Sequence, residues 1–269
     1  MDSKGWRVES RLFVLPKEGA TAEECEDAAA ADDASLSYAV ADGATEAFDA
    51  RRWARRLAEG WVSASPAPVT AEEFRAWLAA QGRALHSEWG GAALPWYAEE
   101  KRRAGSFAAF VGVRFEPASP ASPESDAAGG APGAGPRLPW RAVALGDSCL
   151  VQVRGGALVA ALPVASGAGF NSSPPLVPSA GSLREAALAR AVFRGGEAAP
   201  GDAFFLLSDA AAAWLFEAHE RGGARLAEFD SLAAASENEA LAEFICRERR
   251  GGRMRDDDVA FVRIKVVGA

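Results

Sequence analysis

The chain has 269 residues, of which 49% are hydrophobic and 25% are charged, a composition typical of a globular protein and too apolar for a disordered one. Its 29 Lys and Arg residues against 37 Asp and Glu give a formal net charge of −8, which disfavours nucleic acid and anionic membranes as partners. The sequence contains neither a run of about 20 apolar residues nor the apolar segment of a secretory signal, so we expect a cytoplasmic protein.

The N-terminal third of the chain predicts one strand followed by two helices. A short apolar run at 36–41 ends in a turn signal and predicts a strand. At 52–62 Trp53, Leu57 and Trp61 are four residues apart, which places them on one face of a helix. Thr70 followed by Glu73 is typical of a capping box and predicts that a second helix begins there.

The remainder of the chain predicts most of the strands. Runs rich in β-branched and aromatic residues predict strands at 106–115, 140–153, 157–162, 204–207 and 259–267. The segment 116–139 is rich in Pro, Ala and Gly, and we interpret it as a loop insertion between neighbouring strands of one sheet. Ser236 with Glu239 predicts the start of a helix that ends at Gly251-Gly252. Regular βαβ alternation is missing, which favours an α+β layered fold over a doubly wound one, in a single domain spanning 1–269.

Acidic residues stand where several predicted strands end. They are Asp42, Asp147, Asp209 and the run Asp256-Asp257-Asp258, with the pair Glu26-Asp27 ahead of the first strand. One Asp beside a strand is usually a turn device. Strand ends that meet at one edge of a sheet would instead gather carboxylates, and like charges at short range need a counter-charge. Hard divalent cations bound by oxygen ligands supply that counter-charge.

The other potential metal ligands argue for Mg²⁺ or Mn²⁺. The only histidines are His86 and His219, and the three cysteines, Cys25, Cys149 and Cys246, are widely separated. This pattern indicates neither a zinc or copper site nor a disulfide framework. We expect the cysteines to be reduced and buried.

The order of these motifs carries a resemblance to a known family. The motifs are Glu26-Asp27, Asp42-Gly43, Gly105-Ser106, Gly146-Asp147-Ser148, Ser208-Asp209 and Asp257-Asp258. In this order the sequence resembles the metal-dependent type-2C protein serine/threonine phosphatase family, in its bacterial branch, over nearly the whole chain. The resemblance implies a four-layer αββα sandwich of two antiparallel sheets flanked by helix pairs, with a two-metal site at one end of the sheets.

The resemblance also implies roles for individual residues. Asp42 would bridge two Mg²⁺ or Mn²⁺ ions, and the Gly43 carbonyl would add a ligand to one of them. Asp209 and Asp257 would hold the other ion. Asp257 is preferred within its run because the family places this ligand one residue before the Asp or Asn that leads the last strand.

Three further acidic positions follow from the same resemblance. Glu26 and Asp27 match the family's Glu-Asp pair, and Asp27 is the stronger candidate for coordinating a metal or its waters. Asp147 matches a residue that serves a third, weaker metal site together with Asp209. The two main ions would activate a shared water for direct attack on phosphorus, without a covalent phosphoenzyme.

The sequence departs from the family pattern beside the site. Many relatives carry His after Asp-Gly, which assists leaving-group protonation, whereas this chain has Ala44. Glu46 is a weak candidate for that role and more often such a residue is solvated. Relatives also carry a phosphate-binding Arg shortly before the Glu-Asp pair, and between Arg11 and Glu26 this chain has only Lys17, so no phosphate-binding cation is assigned.

The predicted function is a metal-dependent phosphomonoester hydrolase that dephosphorylates phosphoserine or phosphothreonine in proteins through a metal-activated water. Its partner would be a phosphorylated protein, not nucleic acid or a membrane. The alternative is a catalytically weak or inactive phosphatase-like regulatory or binding module. A third hypothesis is a structural α+β domain whose acidic strand ends are turns. The physiological substrate, the preference among Ser, Thr and Tyr, and the oligomeric state are not predicted.

Overall fold

The computed structural model describes residues 6–90, 94–116, 137–170, 173–181, 184–235 and 238–268. The strands in chain order are β1 (Trp6–Leu15), β2 (Asp27–Asp32), β3 (Ser37–Gly43), β4 (Phe107–Phe115), β5 (Leu138–Leu145), β6 (Cys149–Arg154), β7 (Ala157–Leu162), β8 (Val177–Pro178), β9 (Val192–Ala198), β10 (Ala203–Leu207) and β11 (Val259–Gly268). The helices are α1 (Ala50–Val62), α2 (Ala71–Glu88), α3 (Trp96–Ala104), α4 (Arg184–Leu188), α5 (Asp209–Glu220), α6 (Ala224–Ala234) and α7 (Asn238–Arg250). Most of the predicted loop insertion and the predicted cap Ser236 lie outside the described residues.

The strands form two sheets in which all recorded pairs are antiparallel. One sheet has the order β1-β11-β10-β6-β7, and the other has the order β2-β3-β4-β5-β9 with β8 paired to β4. Strands from both ends of the chain share a sheet, because β1 pairs with β11 over its full length from Trp6 opposite Gly268 to Leu15 opposite Val259. This pairing brings the start of β11 to the end of β1, near the site described below.

Three apolar clusters separate four layers. The cluster between the sheets takes Phe204 and Leu206 from β10, whereas Phe205 and Leu207 of the same strand pack beneath α5, α6 and α7. A third cluster packs α1 and α2 on the outside of the second sheet. Because successive side chains of a strand point to opposite faces of the sheet, each central strand contributes residues to two of these clusters. The result is the expected α+β fold, an αββα sandwich.

The predicted helices α1 and α2 are confirmed. Trp53, Leu57 and Trp61 are fully buried along one face of α1, as their spacing predicts. At the start of α2 the Glu73 backbone N–H donates to the Thr70 hydroxyl, and the Glu73 side chain accepts from the Thr70 backbone N–H. This reciprocal pair is the predicted capping box. The helix α7 ends at Arg250, directly before Gly251-Gly252, the predicted stop.

The prediction of one strand over 140–153 is wrong. The chain leaves one sheet at the end of β5 and enters the other sheet at the start of β6, with Gly146, Asp147 and Ser148 between them. Gly146 has φ +111°, and a Cβ at this position would lie 2.5 Å from the Ala109 Cβ, so the crossing requires glycine. The β5 half does pair with β4, as expected for the strands that flank the loop insertion.

Two of the three cysteines are buried, as predicted. Cys25 and Cys149 are buried free thiols, and Cys246 is partly exposed. Across the described part of the chain, every helix is too short or too polar to cross a bilayer.

Candidate metal centre

Asp42 lies at the end of β3, on the side of the strand that faces the other sheet. Tyr38 and Val40 belong to the cluster between the sheets, and the alternation of the strand gives Asp42 the same direction. Asp27, the first residue of β2, is directly opposite Asp42 in the antiparallel register. Cross-strand partners project on the same side, so these two carboxyl groups point into the same end of the sandwich.

Asp147 reaches the same place from the crossing between the two sheets, and Asp209 reaches it from the other sheet. Asp147 lies in the crossing between β5 and β6, and Asp209 is the first residue of α5, directly after β10. Each of Asp42, Asp147 and Asp209 offers a carboxylate oxygen, and these three oxygens lie within 4.8 Å of one another. Each of the three residues is more than 60 positions from the next in sequence. They come together only because the two sheets pack face to face.

The loop before β11 gives its two last Asp residues different surroundings. The Asp258 carboxylate accepts from the backbone N–H groups of Lys17 (2.9 Å) and Glu26 (2.8 Å), so it fixes the chain that leads into β2. The Asp257 side chain is 43% exposed, and the charge of Asp209 acts on it. Asp258 is thus held by backbone donors, whereas Asp257 Oδ1 accepts from the Asp258 backbone N–H and Asp257 Oδ2 lies 3.4 Å from Arg255 Nε. The choice of Asp257 as the ligand stays a prediction.

Burial and repulsion from neighbouring carboxylates disfavour ionisation of four of the site's carboxyl groups, those of Asp27, Asp42, Asp147 and Asp257. Burial raises the pKa of Asp42 and of Asp27 well above the usual range, and neighbouring carboxylates, Asp209 among them, add to both increases. Burial and the charge of Asp209 raise the pKa of Asp147 to about 6. Burial and the same charge also raise the pKa of Asp257. A metal-free cluster of this kind is electrostatically unfavourable at neutral pH.

The donor set fits a hard divalent cation. The converging groups are carboxylates, the ligands that Mg²⁺ and Mn²⁺ prefer. One oxygen of Asp27, Oδ2, is buried without a hydrogen-bond partner, which is costly unless a cation or an ordered water takes that place. The residues present at this end of the sandwich are therefore chemically suited to bind such an ion.

The remaining predicted positions lie around this cluster. The Gly43 backbone N–H donates to the Glu26 carbonyl at 3.2 Å, and a Cβ on Gly43 would lie 2.9 Å from the Ala50 backbone, so glycine is needed there. Glu26 contacts the site through its backbone. The Glu46 side chain is 95% exposed and pairs with Lys101 at 3.2 Å, so it lies on the surface. The metal-binding role of each predicted residue stays a prediction.

Arg255 is a member of the site that the sequence analysis missed. Its Nη2 donates to Asp209 Oδ2, and its Nε lies 3.4 Å from Asp257 Oδ2. The signal available in the sequence was an Arg directly before three consecutive Asp residues, a pattern that is typical of a solvent-exposed charged segment. Only the fold shows that this Arg reaches across to the start of α5.

The sandwich and its acidic end define the class of fold, that of the metal-dependent type-2C protein serine/threonine phosphatases. No protein-family model matches the sequence, and no curated protein matches it significantly. The likeness is found in solved structures, and at their low sequence identities it establishes the fold.

Three of these structures illustrate the likeness. The catalytic domain of the serine/threonine protein phosphatase PstP in complex with two manganese ions is 16% identical, with a TM-score of 0.59, 97% of this chain and 99% of that one covered. The PPM Ser-Thr phosphatase MsPP from Mycobacterium smegmatis, in complex with cacodylate, is 16% identical, with a TM-score of 0.54 and coverages of 96% and 97%. The photosystem II phosphatase PBCP is 13% identical, with a TM-score of 0.55 and coverages of 96% and 98%.

Proposed function

We propose that this protein is a Mg²⁺- or Mn²⁺-dependent phosphomonoester hydrolase that dephosphorylates phosphoserine and phosphothreonine in proteins. The observation that carries the proposal is the convergence of Asp42, Asp147 and Asp209, whose carboxylate oxygens lie within 4.8 Å of one another at one end of the sandwich. The similarity to solved protein phosphatases, one of them holding two manganese ions, supports the choice of reaction.

The proposal assigns two ions to this cluster. Asp42 would contact both, with the Gly43 carbonyl on one and Asp209 with Asp257 on the other. Asp27 and Glu26 would contribute through a direct or water-mediated contact, and Asp147 would serve a third, weaker site. When bound, the ions supply an activated water and neutralise the phosphoryl oxygens. The chain's own contribution is to hold these carboxylates in place on two sheets.

The leaving group receives little help from the side chains beside Asp42. Ala44 cannot donate a proton, and Glu46 is exposed and paired with Lys101. General acid catalysis typically contributes about 10²–10⁴-fold. We therefore expect aryl phosphates, whose leaving groups need little protonation, to be cleaved faster than phosphoserine peptides.

The test combines metal titration with hydrolysis. Calorimetry with Mn²⁺ should detect binding, and the protein should hydrolyse p-nitrophenyl phosphate with Mn²⁺ and lose this activity with EDTA. Asp42→Ala and Asp209→Ala should lose both properties. Asp230→Ala is a matched control, because it removes an Asp that pairs with Arg263 at 2.7 Å in another part of the fold, and it should retain both.

The other hypotheses predict different results. A folded protein that binds Mn²⁺ and hydrolyses neither aryl phosphate nor phosphopeptide would indicate the regulatory or binding module. A folded protein that binds no divalent cation would indicate a structural domain. The proposal includes a cytoplasmic location.

A further inference from the structure

Arg255 places a positive charge among the acidic side chains of the candidate metal centre. It donates to Asp209 and lies 3.4 Å from Asp257. Burial and the charge of Asp209 raise the pKa of Asp147 and of Asp257, and the charge of Arg255 offsets part of that increase. Its own side chain is 59% exposed. The guanidinium therefore bridges two site carboxylates while it remains open to solvent.

The other arginines of the same stretch are held elsewhere. Arg253 donates twice to the buried carboxylate of Glu248, at 2.9 Å each. Arg249 is buried and donates to the backbone carbonyls of Pro16 and Asp257. These contacts fix the loop that precedes β11. Arg255 differs because its partners are side chains that the proposed function assigns to metal ions.

A guanidinium and divalent cations would compete for the same oxygens. The Arg255 Nη2 donates to Asp209 Oδ2, one of the few oxygens that this residue can offer to an ion. Two like charges cannot share that oxygen without strong repulsion. Binding of cations to Asp209 and Asp257 would thus release Arg255, which stays tethered beside the site by the loop that Arg249 fixes.

The released guanidinium has the chemistry of a phosphate ligand. Its planar array of donors matches two oxygens of a phosphoryl group, and a charge-assisted pair of this kind is strong where water is partly excluded. Its positive charge would add to that of the bound ions in offsetting the repulsion between the anionic ligands of the centre and a dianionic phosphate.

We propose that Arg255 exchanges partners: it neutralises Asp209 and Asp257 while they carry no cation, and it binds the phosphoryl oxygens of the substrate once divalent cations occupy those carboxylates. This inference rests on the proposed function and assigns its phosphate-binding cation. Arg255 would thus weaken metal binding and strengthen phosphate binding. Removing its side chain should therefore change the two affinities in opposite directions.

The experiment measures two affinities in wild type, Arg255→Ala and Arg255→Lys. Calorimetry with Mg²⁺ alone gives the metal affinity, and titration of inorganic phosphate at saturating Mg²⁺ gives the phosphate affinity. Arg255→Ala should bind Mg²⁺ several-fold more tightly, because the competing guanidinium is gone. It should bind phosphate at least about tenfold more weakly, as the loss of a charged hydrogen bond predicts. Arg255→Lys should give an intermediate phosphate affinity, since it keeps the charge without the planar donors.

A matched control and clear negative outcomes complete the design. Arg7→Ala removes an exposed Arg near the start of β1, where it is opposite Val267, at the far end of the sheet from Asp257, and should change neither affinity. Unchanged phosphate affinity in Arg255→Ala would overturn the phosphate role, and weaker Mg²⁺ binding would overturn the competition. Failure of the wild type to bind Mg²⁺ would overturn both this inference and the proposed function, whereas the first two results leave the proposed function standing.

Discussion

Replacing Asp147 with Asn is expected to stabilise the metal-free protein at neutral pH. Asp147 is only 9% exposed, and burial together with the charge of Asp209 raises its pKa from 3.8 to about 6. Each pKa unit corresponds to about 1.4 kcal/mol, so keeping this group ionised costs the folded state about 3 kcal/mol. An Asn of nearly the same shape removes that cost. For a chain of this size the gain corresponds to about 5–10 °C in the unfolding midpoint.

The pH dependence distinguishes this cause from a general packing effect. A carboxyl group whose pKa is higher in the folded state binds its proton more tightly there, so wild-type stability falls as the pH rises from 3.8 through about 6. Asn does not titrate. The gain from Asp147→Asn should therefore be absent below pH 4 and complete at pH 7.5.

The assay is urea unfolding of EDTA-treated protein at pH 4, 5, 6 and 7.5. Glu23→Gln, which neutralises an exposed carboxylate in the loop between β1 and β2, is the matched control and should leave the free energy of unfolding unchanged. Equal stabilities of wild type and Asp147→Asn at pH 7.5, or a gain of the same size at every pH, would refute the electrostatic account of the cluster.

Three other substitutions test the surroundings of the site and the fold. Hydrogen bonds from Arg253 and Trp214 lower the pKa of Glu248 to about 2, so urea unfolding of Glu248→Gln at pH 7 should show a loss of about 3 kcal/mol. The wild type should lose this stability as the pH falls from 4.5 to 2, and Glu248→Gln should not. Asp258→Ala removes the acceptor of the Lys17 and Glu26 backbone N–H groups, so it should cost about 2–4 kcal/mol and weaken Mn²⁺ binding. Unchanged Mn²⁺ affinity in calorimetry would argue against the role of Asp258 in placing β2. Gly112→Ala would put a Cβ 2.6 Å from Trp61 Cε2, so it should lower the free energy of unfolding by about 1–3 kcal/mol. An unchanged thermal unfolding midpoint would mean that α1 and β4 pack less tightly at this contact.

The elements that the sequence predicts well are those whose own residues decide their structure. α1 buries one face at helical spacing, α2 begins with a reciprocal cap, and β7 is found at the predicted 157–162. Each of these signals lies within a few neighbouring residues. Local chemistry was sufficient there, and tertiary contacts only reinforced it.

Two of the strands that the sequence analysis missed, β2 and β9, depend on their partners. β2 has the sequence Asp-Ala-Ala-Ala-Ala-Asp, which has low strand propensity, and it is extended because all six residues pair with β3. β9 contains Gly195 and Gly196, and a Cβ on Gly196 would lie 2.6 Å from the ring of Trp140. Both lie at the edges of their sheet, where a single neighbouring strand determines the conformation.

Part of the candidate site could be predicted, because local sequence patterns mark some of its residues. Asp42 and Asp209 directly follow apolar runs, and in a two-sheet sandwich strand ends meet at an edge, so their approach to each other follows from sequence pattern and fold class together. Arg255 and Asp258 could not be assigned this way, because their roles depend on which group each side chain reaches across the loop.

The chain contains two kinds of buried carboxylate, and the difference between them favours a binding role for the acidic end of the sandwich. Glu248 and Asp202 are matched by fixed donors: Arg253 and Trp214 donate to the first, and Arg154 and Gln152 donate to the second. Asp27, Asp42 and Asp147 instead face neighbouring carboxylates that raise their pKa values, and Asp27 Oδ2 has no hydrogen-bond partner. The first kind stabilises the fold, whereas the second costs it stability that a bound cation would return. Packing alone gives no reason for the second arrangement.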